Sequence, residues 1–256
     1  MENIVWILGE YDNDSTKNLI KSIANTYPQK KINIISIKPS FKRDVKRLIH
    51  KIKNSNFYDT SKRVFKILKN RLKSKKNKNQ MFGYEFFFVE SYSFTNCKEL
   101  LENHSIKYLL SSTDSIIPSS LIQSIPMGIW NAHPGENPTY RGLGASERML
   151  VDGYFPCVCL HLIDEGIDTG PIFKIFHPDY DAVKTILDVS NKIRETQIKA
   201  LMSVIDFIQY PDDVRFFDTF LIQSNTSHGL NKKIKKQFQN INVKNLKVLN
   251  SHQLLS

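Results

Sequence analysis

The chain has 256 residues, 41% hydrophobic and 11% aromatic, which suffices for a buried core and argues against a disordered chain. Its net charge is +11, yet residues 42–78 alone hold 15 Lys or Arg against two Asp, a local +13 that leaves the remainder at −2. The basic character is therefore a local feature and does not describe the whole surface.

No apolar run approaches the length of a membrane helix, and Met1-Glu2-Asn3-Ile4-Val5-Trp6 reads as a strand with no basic region or cleavage site of a signal peptide. A cytoplasmic location without a membrane partner is expected. The three cysteines, odd in number and few, agree with a reducing compartment.

In chain order, Asn3–Leu8 predicts a buried strand and Ser15–Asn25 a helix that Ser15 or Asp14 could cap. Ile32–Ile37 predicts a second, β-branched strand. Within 42–78, Val45, Leu48, Ile49 and Ile52, then Val64, Leu68 and Leu72, follow helical spacing and predict two amphipathic helices with a tip at Ser74–Asn79. Further strands are expected at Glu85–Val89 and Tyr108–Ser111 around a helix at Asn96–Asn103. Gly128–Asn131 predicts a strand, Leu143–Asp152 a helix, Cys157–Ile163 and Pro171–Phe176 strands, and Ala182–Tyr210 a long amphipathic helix. Beyond Tyr210, Val214–Ile222 could be a strand, and Gly229–Leu249 is basic and sparse in apolar positions. Alternation of this kind implies an α/β fold, a mainly parallel Rossmann-like sheet with helices on both faces. The division expected is 1–210, with 42–78 as a basic helical insertion, and a small C-terminal extension at 211–256.

Two segments carry chemistry. The first is Trp130-Asn131-Ala132-His133-Pro134-Gly135 running to Tyr140-Arg141-Gly142; the second is Asp164-Glu165-Gly166-Ile167-Asp168-Thr169-Gly170-Pro171. In an extended strand Asn131 and His133 point the same way and Ala132 points back. Pro134 then stops the strand. Sites in parallel α/β sheets gather at the carboxyl ends of strands, where these side chains are expected. An amide, an imidazole and a carboxylate brought together can stabilise an oxyanion and move a proton. Cys157, Cys159 and His161 also alternate on one strand face, but zinc needs a second ligand pair and none is visible. Thiols packed in a buried strand are expected there, with no metal.

This joint pattern resembles the formyltransferase family, enzymes that carry a formyl group from N10-formyltetrahydrofolate to an amine. In that family an Asn-x-His-Pro strand end, a Tyr-Arg-Gly loop, a helix and an Asp-x-Gly-x-Asp-Thr-Gly loop follow in this order, and the likeness is strongest over residues 107–176. The resemblance implies catalytic roles for Asn131, His133 and Asp168, with Asp168 favouring protonated imidazole. The amine proton would go to His133 or to a water held by Asp168. It also implies a reduced-folate slot formed by Ser115, Ile116, Ile117 and by Asp164, Glu165, Gly166, Ile167 and Asp168, and acceptor contacts from Tyr140 and Arg141. Leu143 departs from the pattern, because several relatives carry Arg just after Tyr-Arg-Gly.

Among such enzymes, glycinamide ribonucleotide formyltransferases carry a Gly-Ser-rich phosphate loop after the first strand. Here Gly9-Glu10-Tyr11-Asp12-Asn13-Asp14 is too acidic for that cradle. Methionyl-tRNA formyltransferases continue into a separate C-terminal barrel, which the residues after Tyr210 are too few to form. The compact sugar N-formyltransferases remain, acting on an amino sugar carried by a nucleotide diphosphate (a dTDP-linked 4-amino-4,6-dideoxy sugar is favoured) for O-antigen lipopolysaccharide synthesis. Members of that group often carry a small C-terminal piece that pairs two subunits, so the resemblance implies a homodimer as an expectation. Hydroxyornithine or another small amine is the alternative acceptor. The 42–78 stretch is then a positive rim drawing in the diphosphate, or simply a solvated helix face. A different class, a nucleic-acid-binding module using these cations with Phe57, Tyr58 and Phe65, is disfavoured because the aromatics are few and Phe65 adjoins the apolar stripe, so no nucleic-acid partner is expected.

Overall fold

The computed structural model describes residues 4–11, 13–38, 84–208, 227–228, 237 and 241–248. The expected insertion at 42–78, the strand at Val214–Ile222 and most of Gly229–Leu249 lie outside the described residues, as does the expected boundary at residue 210. Two compact units divide the chain: Glu2–His104 with Ser112–Ser115, and Ser105–Ser111 with Ile116–Ser256.

The first unit contains β1 (Ile4–Gly9), α1 (Asp14–Thr26), β2 (Lys31–Ile37), β3 (Tyr84–Val89) and α2 (Phe94–His104). Its strands run in the order β3-β2-β1 with both pairings parallel. Val5 through Leu8 are all buried, so both faces of β1 are covered, and this is why the strand reads as a continuous apolar run. Helix α1 turns Leu19, Ile20 and Ile23 inward. Its cap is Asn13, one or two residues ahead of the Asp14 or Ser15 expected: the Asn13 Oδ1 accepts from the Ser15 N–H at 2.9 Å. That leaves the Asp14 carboxylate in the first turn, where the helix dipole favours it.

The second unit contains β4 (Leu109–Ser112) up to Ser111, α3 (Ser119–Ile122), β5 (Ile129–His133), β6 (Gly142–Leu143), α4 (Ala145–Val151), β7 (Tyr154–Phe155), β8 (Val158–Leu162), β9 (Ile172–Phe176) and α5 (Ile186–Phe207). Its main strands run β4-β5-β8-β9. β4 and β5 are parallel, whereas β8 is antiparallel to both of its neighbours. β5 extends to His133, two residues past the expected end, because its outer half pairs with β8 beyond the last described β4 partner. Two short strands from the tail, β10 (Ser227–His228) and β11 (Lys247–Val248), pair in parallel with β6 and β7. The chain is thus a mainly parallel mixed sheet with helices, as its pattern implies.

Two helix starts differ from expectation for local reasons. α4 begins at Ala145 because Gly142 and Leu143 are drawn into β6 and Gly144 takes a left-handed conformation at φ 78°. α5 begins at Ile186, four residues late, because Thr185 and Asp188 form a capping box. The Thr185 hydroxyl accepts from the Asp188 N–H at 3.2 Å, and the Asp188 carboxylate accepts from the Thr185 N–H at 2.9 Å. Val189, Ile193, Ala200, Leu201 and Val204 then share the buried face of α5, which packs on β5 and β8. Thr185→Ala is expected to cost about 1 kcal/mol, the usual value of such a cap, read as a lowered denaturation midpoint at unchanged m.

Candidate functional site

The antiparallel pairing of β5 with β8 places Asn131 directly opposite His161 and His133 opposite Cys159. Side chains so paired lie on one face at contact distance. Asn131 Nδ2 lies 3.1 Å from His161 Nε2, and the Cys159 Sγ accepts from the Asn137 N–H at 3.4 Å. Behind the strand, the Gln197 amide of α5 donates to the Ala132 carbonyl at 2.8 Å, fixing β5 between the two polar side chains.

Asp168 arrives from the connection between β8 and β9. The neck of that hairpin is closed by Leu162 N–H donating to the Pro171 carbonyl at 3.1 Å. Within it the Asp164 carboxylate accepts from the Gly166 N–H at 3.1 Å and from the Thr169 hydroxyl, making a tight turn. Asp168 itself adopts φ 52°, a left-handed conformation that Asp tolerates better than most side chains. Its Oδ2 lies 3.2 Å from His133 Nδ1 and accepts from the Gly142 N–H at 2.9 Å, while Oδ1 lies 3.6 Å from His161 Nε2.

His133 is 4% exposed and His161 1%. The second ring nitrogen of His133, Nε2, faces the Tyr140 carbonyl at 2.9 Å. Gly135 permits that approach: a Cβ there would lie 2.7 Å from the Tyr140 oxygen and 2.8 Å from His133 Nε2. Both ring nitrogens therefore face oxygen acceptors, an arrangement complete only when the ring holds two protons. Burial opposes that charge and lowers the His133 pKa below 6.5, with Asp168 and the Tyr140 carbonyl pushing back and His161 and Arg148 adding to the lowering. Burial also works against ionised Asp168, but the His161 contact, the charge of His133 and the Gly142 N–H outweigh it and hold the carboxyl at about 2. At neutral pH the cluster is a fixed carboxylate beside an imidazole that has partners ready for a further proton.

Other expected residues are placed as follows. The Ser115 hydroxyl donates to Glu10 at 3.1 Å, Ile117 is buried and Ile116 is 87% exposed. Glu165 accepts from the Gln123 amide at 3.0 Å, which ties the helix after Ile117 to the Asp164–Asp168 turn, and Ile167 stays exposed. Tyr140 meets the cluster through its backbone carbonyl, while the side chains of Tyr140 and Arg141 donate to Asp152 at 2.9 Å and to the Pro138 carbonyl at 3.0 Å. Sequence reasoning treated His161 only as a possible metal ligand and missed its place beside Asn131. The signal available was its period-two alternation with Cys159, which gains meaning only once β8 is antiparallel to β5. Among the described residues no group of His, Cys, Asp and Glu is arranged to hold a metal, and no helix is long and apolar enough to cross a membrane.

Comparison with known proteins adds a family. Residues 62–205 match the formyl transferase domain. A methionyl-tRNA formyltransferase of Thermus thermophilus is 30% identical over 103 residues, 38% of this chain and 32% of that protein. The chain thus spans about a third of the length of the curated relatives it matches. A 4-N formyltransferase from Francisella tularensis has the same fold, at a TM-score of 0.56 and 15% identity over 98% of this chain and 95% of that one. A sugar 3N-formyl transferase, WlaRD, solved with dTDP and 5-N-formyl-THF, superposes at 0.50 with 19% identity over 91% and 71%. Phosphoribosylglycinamide formyltransferases stand among the same structural neighbours.

Proposed function

The chain belongs to the formyl transferase family, and from that premise we propose that it transfers a formyl group from N10-formyltetrahydrofolate to the amino group of a nucleotide-linked amino deoxysugar, a dTDP-linked 4-amino-4,6-dideoxy sugar being favoured. The observation that carries this reading is the single cluster formed by Asn131, His133 and Asp168. In the reaction the amine nitrogen bonds to the formyl carbon, the bond from that carbon to N10 breaks, and the amine proton ends on the departing N10. Asn131 donates an N–H to the oxygen that becomes negative, a contribution of about 2.7–4 kcal/mol for one such donor. His133, neutral at rest, takes the amine proton; the resulting cation already has Asp168 and the Tyr140 carbonyl as acceptors. The folate lies against Ile116, Ile117 and the Asp164–Asp168 turn; the Gln123–Glu165 contact and the exposed Ile116 and Ile167 support that reading.

The choice of a sugar nucleotide rests on the sugar N-formyltransferases among the structural neighbours and on the local charge of 42–78, which suits a diphosphate. The acidic turn after β1 supports it against a ribonucleotide phosphate: Glu10 is buried and carries the Ser115 hydroxyl. A homodimer and a role in surface polysaccharide synthesis belong to the same reading. The test is a panel of dTDP-, GDP- and UDP-linked amino sugars, glycinamide ribonucleotide and hydroxyornithine, each with the formyl donor and followed by mass spectrometry. Formylation of a nucleotide sugar is the expected result; formylation of glycinamide ribonucleotide or hydroxyornithine alone would replace the acceptor.

A further inference from the structure

His161 lies in the same face of the sheet as the proposed catalytic groups and makes two contacts that fix its protons. Its Nδ1 lies 2.8 Å from the Leu162 carbonyl oxygen, an acceptor only, so that nitrogen carries a hydrogen. Its Nε2 has Asn131 Nδ2 as nearest partner at 3.1 Å, with Asp168 Oδ1 farther at 3.6 Å. A neutral ring with its hydrogen on Nδ1 offers a lone pair at Nε2, and the Asn131 amide can meet it only by presenting N–H.

That matters because the two ends of an Asn side chain are nearly isosteric and opposite in hydrogen-bonding sense. An amide free to turn over would at times aim its oxygen at the place where a negative oxygen develops, where it repels. We infer that His161 is a positioning residue for the proposed transfer: held by the Leu162 carbonyl as the Nδ1–H tautomer, it accepts one hydrogen of the Asn131 amide and thereby keeps the other hydrogen aimed into the site. This inference rests on the proposed reaction for its meaning, but its structural half stands apart from any acceptor. The register of β5 against β8 supplies the means, since Asn131 and His161 are direct cross-strand partners. The Leu162 carbonyl is presented where the pairing of β8 with β9 shifts register between Leu160 and His161.

Three variants test it. In His161→Leu the acceptor is lost, and kcat is expected to fall about ten- to hundredfold with the acceptor KM within a few-fold. In His161→Gln the side-chain oxygen reaches the former Nε2 position and restores kcat to within about fivefold of wild type. His161→Asn mimics only the Nδ1 side and does not reach Asn131, so it should behave as the Leu variant. A residue that merely fills the core would rank the three by volume and thermal stability, with Gln gaining nothing. In an Asn131→Ala background the effect of His161→Leu is expected to vanish, because the amide it orients is gone. Equal losses with and without Asn131, or equal losses in the Gln and Leu variants, would overturn the inference. Independently of any acceptor, long-range 1H–15N spectra of the histidine-labelled full chain at neutral pH should show His161 protonated on Nδ1 alone. A proton on Nε2 would sink the inference even if transfer is active. Conversely, no transfer to any amine with the expected tautomer present would count against the reaction and leave the Asn131–His161 pairing standing.

Discussion

His133→Asn is expected to lower kcat for formyl transfer by at least about a hundredfold, the low end for a group that moves a proton in the transition state. Asp168→Asn is expected to do the same through the imidazole, since it removes the charge that favours the protonated ring. Asn is the right replacement at 168, because it tolerates the left-handed backbone at φ 52° better than Ala. The pH dependence separates the two roles. A base whose pKa is lowered below 6.5 is competent above that value, so kcat/KM should rise with pH along a limb below 6.5 and then level off. Removal of Asp168 withdraws a contribution that raises the His133 pKa, so the limb in any residual activity should move to lower pH. Stability follows a different sign. The Asp168 carboxyl is depressed from 3.8 to about 2, so its contribution is present above pH 3.8 and is lost as pH falls through about 2. Asp168→Asn should therefore flatten the fall of stability with acid below pH 3.8, read from denaturation midpoints across that range. Wild-type turnover in a folded His133→Asn protein would remove this histidine from the reaction.

Gly170→Ala is expected to be the most damaging single methyl group in the described structure. A Cβ at this position would clash with the Leu162 carbonyl oxygen and stand 2.9 Å from its carbon. Both are backbone atoms at the neck of the β8–β9 hairpin and cannot rotate away. The neck must open, at a cost of about 3 kcal/mol, the upper end for overpacking. In a domain of this size that is a fall in Tm of about 6–12 °C. Because the same hairpin delivers Asp168, activity of the folded fraction should fall too. Unaltered thermal stability in Gly170→Ala would contradict the closed neck. The Gly of Asp168-Thr169-Gly170 thus has a steric reason that no propensity expresses: the Gly170 backbone and the Leu162 carbonyl lie too close to admit a methyl group between them.

The strands and helices were largely readable along the chain because burial writes itself as period: the continuous run from Val5 to Leu8, the alternation around Asn131 and His133, the stripe on α5. The resemblance of the Asn131–Gly142 and Asp164–Gly170 segments to one enzyme family was likewise a property of order and spacing. Those local readings missed by a few residues where side chains rather than periodicity set the end, as at Asn13 and the Thr185–Asp188 box. Sequence alone determined which groups could act, Asn131, His133 and Asp168, and that the first two share a face. Only the tertiary structure decided that β8 runs antiparallel to β5, which brings His161 opposite Asn131, and that a left-handed Asp168 reaches back to His133. It also decided that Tyr140 and Gly142 contribute backbone groups to the cluster. The reason is physical: strand period fixes the face on which a side chain stands, whereas the partner it meets depends on the direction and register of a strand some thirty residues away.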